Sequence, residues 1–237
     1  MAVTKIIFLD ILTVLPVPTS PNTWKVRLTL NYKELTYRTK WVETTDIESV
    51  CKSLGIPPTS MLPDGTPKYT LPALIDNTFT PPAVLSDSNP IIEYLERTYP
   101  DPDSSRAVCP PASCALHAIF EYHVAQPHGI ASTSVNVPKR HLGKKLEDIE
   151  LKGKDREEHW NKIERAFDLL ATSMRARSGP GELFTGSNLS LADCTLGGLL
   201  LALRYDSPDE AWMKVSSWSN GKWIRYMAAL SKWTAVE

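Results

Sequence analysis

The chain has no excess of charge of either sign: 26 Lys and Arg stand against 27 Asp and Glu, a formal net charge of −1 over 237 residues. That balance offers no electrostatic grip on nucleic acid or on an anionic membrane surface. The basic runs Lys139-Arg140-His141 and Lys144-Lys145 are short, are followed by Glu147, Asp148 and Glu150, and read as a solvated helix face. No uninterrupted apolar stretch approaches the length that crosses a bilayer. The apolar run from Ile6 to Val17 is broken by Asp10 and Pro16 and ends without a small-residue cleavage site, so it is not read as a secretory signal. Cysteine is scarce. Cys51, Cys109, Cys114 and Cys194 show neither CxxC nor metal-ligand spacing, which reads as free thiols in a reducing, cytoplasmic setting. The five histidines form no cluster, and HExxH, nucleophile-elbow, P-loop and dinucleotide signatures are all missing, which leaves no expected metal site. Internal repeats and low-complexity tracts are missing as well.

What is present is an ordinary globular composition in a chain long enough for one large domain or two small ones. The first hundred residues alternate short extended and helical patterns. Lys5 to Leu12 predicts a strand, Thr23 to Tyr32 a helix, Leu35 to Val42 a second strand, and Asp46 to Leu54 a short helix with Asp46 as its cap. Gly55 to Tyr69 contains Pro57, Pro58, Pro63 and Pro67 and is expected to form no regular structure. Ala73 to Asp76 and Ala83 to Ser86 predict a hairpin, and Ser88 to Thr98 a helix. A polar linker, Tyr99 to Ser105, then separates this β-α-β-α-β-β-α unit from a second part. There helical periodicity covers Ala112 to Ala125, Arg140 to Lys152, Asp155 to Ala176, Ser190 to Leu203 and Trp223 to Trp233. The fold class expected is an α/β domain over residues 1–100 followed by an all-α helical domain over 108–237.

Three short stretches could carry chemistry. Ser20 stands where an extended segment meets a helix whose first residues are Pro21, Asn22 and Thr23. Such a helix end exposes unpaired N–H groups and a partial positive charge, so it suits an anion such as a thiolate. Capping is the commoner duty of a serine there, and the stretch alone is compatible with both. Leu71-Pro72 precedes a strand. A proline there needs no special explanation, since it has no donor for the ladder. A cis bond would instead turn the Leu71 backbone outward, free to pair with a ligand's peptide group. Asp87-Ser88 begins another helix. Both residues suit a cap, and Pro90 suits the first turn. The same pair could also hold a ligand with a carboxylate, through Ser88 and the backbone, and an ammonium, through Asp87. Ser190-Leu191-Ala192-Asp193 reads as a structural capping box, the loss of which costs about 1 kcal/mol. The aromatic tail with Trp212, Trp218, Trp223, Tyr226 and Trp233 is more often core than site, and could also line a pocket for flat ligands.

In their order and spacing these stretches resemble the cytosolic glutathione transferases, over nearly the full chain. The resemblance implies a thioredoxin-like glutathione-binding N-terminal domain and a helical domain that contributes a hydrophobic substrate pocket. Ser20 matches the activating serine of serine-type members. Thr70, Leu71 and Pro72 match the segment that holds the cysteinyl backbone, Asp87 and Ser88 the pair that holds the γ-glutamyl head, and Asn22 the first turn of the helix beside the thiol. The stretches Ser20 to Lys25, Trp41-Val42-Glu43, Tyr69 to Pro72, Gly143 to Glu147 and Asn220 to Trp223 are similar, more narrowly, to the etherase-related fungal FuA class. Members of that class are associated with polyphenols and wood-derived aromatics. Two departures stand out: Asp87 occupies a position where Glu is usual, and Pro90 is expected to shift the first helical turn.

The resemblance further implies glutathione as co-substrate, hydrophobic aromatic small molecules as second ligands, a homodimer, and no nucleic-acid or membrane partner. Leu15 to Pro18, Trp24, Phe120, Tyr122 and His123 are the pocket candidates. The implied chemistry is attack by the glutathione thiolate on an aromatic electrophile or aryl ether. Rival readings are a cysteine-type thiol transferase, disfavoured because no cysteine precedes Cys51, a non-catalytic carrier of aromatic ligands, and a purely structural domain.

Overall fold

The computed structural model describes residues 4–15, 17–110, 113–131, 152–177 and 181–236. Strand β1 (Ile6–Ile11) is followed by helix α1 (Pro21–Tyr32), β2 (Tyr37–Val42) and α2 (Ile47–Ser53). Then come β3 (Ser60–Met61), β4 (Pro67–Lys68), β5 (Ala73–Asp76), β6 (Ala83–Ser86) and α3 (Ser88–Thr98). The rest is helical: α4 (Cys114–Ala131), α5 (Gly153–Arg177), α6 (Leu191–Asp206), α7 (Met213–Ser217) and α8 (Lys222–Leu230). The expected helix over Arg140 to Lys152 lies outside the described residues but for its last position, as do the basic runs near it. An α/β thioredoxin-like half followed by a helical half is the observed fold class.

The principal sheet has the order β2-β1-β5-β6, with β1 parallel to β2 and antiparallel to β5, and β5 antiparallel to β6. Alternation along β1 sends Ile6 and Phe8 to the face covered by α1 and α3, and Leu9 to the opposite face, under α2 with Ala73 and Ile75. Asp10 points to the α1 face, where it pairs at 2.9 Å with Arg27; both side chains are fully buried. The Arg27 guanidinium also lies over the rings of Phe8, Tyr37 and Trp41. Asp10, which breaks the apolar run in the sequence, is thus a core residue whose partner lies on the next helix.

Three local expectations are corrected. Ser60–Met61 pairs antiparallel with Pro67–Lys68, so the proline-rich segment does contain a small hairpin; proline is tolerated there because the strands are short and exposed. Asp46 occupies the cap position of α2 but makes no side-chain cap bond, because a 3-10 turn over Thr44–Asp46 leads directly into the helix. The expected start at Thr23 is too late: α1 begins at Pro21, the first-turn position where a missing N–H costs nothing.

Helix α6 runs through the centre of the helical half and packs along α1. Gly197 and Gly198 make this approach possible. A Cβ at Gly198 would lie 2.5 Å from the Pro21 carbonyl oxygen, and one at Gly197 would lie 2.5 Å from a methyl of Leu230. The absence of a side chain at Gly198 therefore sets how close the start of α1 can come to α6.

Candidate active site

The sheet register gathers the sequence stretches at one edge. Leu9 pairs with Ala73 and Ala73 with Ser86, so the C-terminal end of β1, the N-terminal end of β5 and the C-terminal end of β6 lie together. The Asp87 N–H donates to the Pro72 carbonyl at 3.2 Å, which carries the β5–β6 ladder one step further and joins Leu71-Pro72 to Asp87-Ser88. From the end of β1 the chain runs through the 12–19 loop to Ser20 at the head of α1.

Ser20 is the N-cap of α1, with φ −78° and ψ 123°. Its hydroxyl oxygen accepts from the Thr23 N–H at 3.5 Å, a long and weak contact, while the Thr23 hydroxyl donates back to the Ser20 carbonyl at 3.1 Å. Among the described residues the Ser20 hydroxyl hydrogen has no acceptor. The amide inventory of the turn is short. Pro21 has none, and Trp24 donates to the Ser20 carbonyl at 3.1 Å. The Asn22 N–H, on an exposed residue, has no partner among the described residues. One hydroxyl and one amide therefore converge on the space before α1, where the helix dipole favours negative charge.

The Leu71–Pro72 peptide is cis. Leu71 is buried, yet among the described residues neither its N–H nor its carbonyl has a hydrogen-bond partner. Buried backbone groups are nearly always paired, so the free edge at Leu71 is the kind a ligand's peptide would complete. Thr70 is held beside it: its N–H and hydroxyl donate to the Thr59 hydroxyl at 3.1 Å and 2.8 Å.

At the head of α3, Asp87 caps the helix: its Oδ1 accepts from the Ser88 N–H at 2.7 Å. Asp87 adopts φ 73° and ψ 143°, a backbone region that costs a non-glycine residue about 1–3 kcal/mol and gathers at ligand sites. Ser88 is buried. Pro90 does not shift the first turn, contrary to expectation. It sits where α3 needs no amide, and the Ile91 N–H closes the turn on the Asp87 carbonyl at 3.2 Å. The amide of Asn89 is left without a partner among the described residues, as Asn22 is on α1.

The described aromatic pocket candidates have different surroundings. Trp24 is buried in the core, stacked at 6.5 Å on Tyr205, with its indole N–H donating to the Pro18 carbonyl at 2.9 Å. Its ring faces protein, and it anchors the loop leading to Ser20. Phe120 is half-buried against Phe184, 5.1 Å away. Tyr122 is exposed, and the side chain of His123 lies outside the described residues, as does Pro16. Cys51, Cys109 and Cys194 are free and buried. Burial pushes the thiol of Cys51 up, and that of Cys194 up to about 12, so neither is a nucleophile at neutral pH. Among the described residues, no group of His, Cys, Asp or Glu could hold a metal ion, and no helix is long and apolar enough to cross a membrane.

Glu121 on α4 gave no signal in the sequence. It pairs with the buried Lys25 of α1, and its second oxygen accepts from the Asn89 side-chain amide of α3 at 2.7 Å. Nothing in the spacing of these three residues points to their meeting, because the contact joins three separate helices.

The family model for the glutathione S-transferase N-terminal domain matches residues 16–103, and that for the C-terminal domain matches residues 137–233. The glutathione S-transferase of Ceriporiopsis subvermispora, solved in complex with glutathione, is 36% identical, with 98% of each chain covered and a TM-score of 0.82. Glutathione transferase GSTFuA3 from Phanerochaete chrysosporium is 34% identical, with 100% of each chain covered and a TM-score of 0.83. A curated relative, the glutathione S-transferase-like protein ustS of Aspergillus flavus, is 38% identical over 101 residues, a match spanning 36% of its length and 40% of this chain. Matched in both halves and similar end to end to a fungal FuA-class member, the chain belongs to the glutathione transferase family.

Proposed function

We propose that the protein is a glutathione-dependent transferase in which residues 1–100 bind glutathione and residues 108–237 supply the second-substrate surface. The observation that carries this reading is the unpartnered backbone edge at Leu71, flanked by two helix starts that each keep one free amide. The Leu71 N–H and carbonyl pair with the cysteinyl peptide of glutathione. Asp87 takes the γ-glutamyl ammonium, and Ser88 with the Asn89 amide takes its carboxylate. Ser20 then donates its free hydroxyl hydrogen to the glutathione sulfur, assisted by the Asn22 amide, and lowers the thiol pKa as helix starts do. The thiol proton leaves to solvent. The thiolate forms a carbon–sulfur bond to an aromatic electrophile, or to the ether-bearing carbon of an aryl ether, and the leaving group departs with its electron pair.

The glutathione complex of the Ceriporiopsis relative supports the co-substrate assignment. The similarity to the FuA class supports aromatic or polyphenol-type second ligands. Leu116 and Ile119, large apolar side chains exposed on α4, support a homodimer, because exposed apolar surface ordinarily meets a partner. Buried free thiols fit a reducing, cytoplasmic compartment.

The test is Ser20→Ala assayed with glutathione and an aromatic electrophile. A hydrogen bond to a charged sulfur is worth about 1.5–3 kcal/mol, so kcat/KM falls by about 10- to 100-fold while glutathione still binds. Equal, slow rates in both proteins together with tight aromatic binding would make the chain a carrier. No glutathione binding by the wild type would sink the reading.

A further inference from the structure

We propose that Glu121 is a positioning residue that sets the span between the head of α1 and the head of α3, and so the distance between the thiol and γ-glutamyl ends of the glutathione site. The proposal rests on the glutathione reading above. The sheet fixes Leu71-Pro72 against Asp87 through the Pro72–Asp87 hydrogen bond. It does not fix Ser20 in the same way, because the 12–19 loop lies between β1 and α1. A ligand gripped at both heads therefore needs a second tie.

Glu121 supplies it from the helical half. One carboxylate oxygen meets the Lys25 ammonium and the other accepts from the Asn89 side-chain NH₂ at 2.7 Å, leaving the Asn89 backbone N–H out of the contact. Lys25 lies five positions beyond Ser20, about one and a half helical turns. Asn89 directly follows Ser88. The Lys25 ammonium is nearly inaccessible to solvent, so its charge is met inside the protein and its position is defined. The carboxylate only accepts, which also fixes the Asn89 side chain with its NH₂ toward Glu121. Among the described residues its carbonyl oxygen is then left buried without a partner.

Asn89→Ala is the decisive variant, because it leaves the Lys25–Glu121 pair intact and detaches only α3. Glutathione binding by calorimetry, the ultraviolet titration of the bound thiol and thermal melting are measured on the full chain. The expected result is a rise of at least fivefold in the dissociation constant, with the bound-thiol pKa and the melting temperature unchanged. Glu121→Gln keeps one acceptor oxygen for Lys25 and turns an NH₂ toward the Asn89 NH₂, so it is expected to weaken binding further and to lower the melting temperature. If wild type binds glutathione and Asn89→Ala binds it equally well, the proposal fails alone. The same holds if its affinity, thiol pKa and melting temperature all fall together. If wild type does not bind glutathione, the reading of the site fails and takes this proposal with it.

Discussion

Ser20 and Ser190 each stand one residue before a helix, but the protein uses them differently. Ser190 is buried, and its hydroxyl donates to the Asp193 carboxylate at 2.6 Å while accepting from the Asp193 N–H at 3.4 Å. Asp193 in turn accepts from the Ser190 N–H, the Phe184 N–H and the Tyr226 hydroxyl. Burial pushes the Asp193 carboxyl up, and these donors pull it back; burial and the neighbouring Asp193 charge hold the Tyr226 phenol well above its ordinary value. Ser20 is only half-buried, accepts one long contact and keeps its hydrogen. One cap is closed by the protein, and the other, among the described residues, keeps an unpaired donor. A serine before a helix is thus structural or chemical according to whether its donor has an acceptor.

The contrast can be broken most forcefully at Asp193. Asp193→Ala strands several buried donors and is expected to cost about 3–5 kcal/mol, read as a fall in the urea midpoint. A cost near 1 kcal/mol would reduce the box to an ordinary cap. Next is Gly198→Ala, whose new Cβ meets backbone at Pro21. It is expected to cost about 1–3 kcal/mol and to weaken glutathione binding, because the head of α1 must move. Gly197→Ala, which meets the movable end of Leu230, should cost less; equal costs would show that the α1–α6 seam yields as easily at backbone as at side chain.

Smaller still is the difference between the serines themselves. Ser190→Ala is expected to cost about 1–2 kcal/mol and Ser20→Ala about 0.5 kcal/mol or less, measured by denaturant unfolding. Equal losses would make Ser20 an ordinary cap. The smallest effect concerns Asp206, the last residue of α6, whose carboxyl burial lifts to about 6. Its folded-state pKa lies above the unfolded one, so its ionised form costs stability above that pH and nothing below the ordinary carboxylate range. Asp206→Asn should therefore raise the melting temperature slightly near neutral pH and leave it unchanged near pH 4. A change of the same size at both pH values would rule out the carboxylate as its source.

Much of this was legible in the sequence because it depends on local periodicity. The alternation in Ala73 to Asp76 and Ala83 to Ser86, the helix from Ser88 to Thr98 and the box at Ser190 emerge within a residue or so of their expected bounds. The stretches at Ser20, Leu71-Pro72 and Asp87-Ser88 were also visible, since each lies at a junction marked by proline or a capping residue. An aromatic beside a site motif gives no sign in the sequence of which way its ring turns, and the structure buries Trp24 against Tyr205. Nothing in the sequence shows that Lys25, Asn89 and Glu121 meet, because they lie on three separate helices. Asp10 looked like a break in an apolar run, and only Arg27, seventeen residues on, explains it.

The sequence by itself determined the order of the longer elements, the division into two halves and the residue types at the three junctions, all of which follow from patterns a few residues long. The tertiary structure decided which hydroxyl keeps its hydrogen, which amides stay free and which buried charge meets which carboxylate. Those outcomes depend on the β1–β5–β6 register and on the closeness that Gly198 permits between α1 and α6. Hydrogen bonds are satisfied or left open by distances of a few tenths of an ångström, and only the packed chain fixes distances that fine.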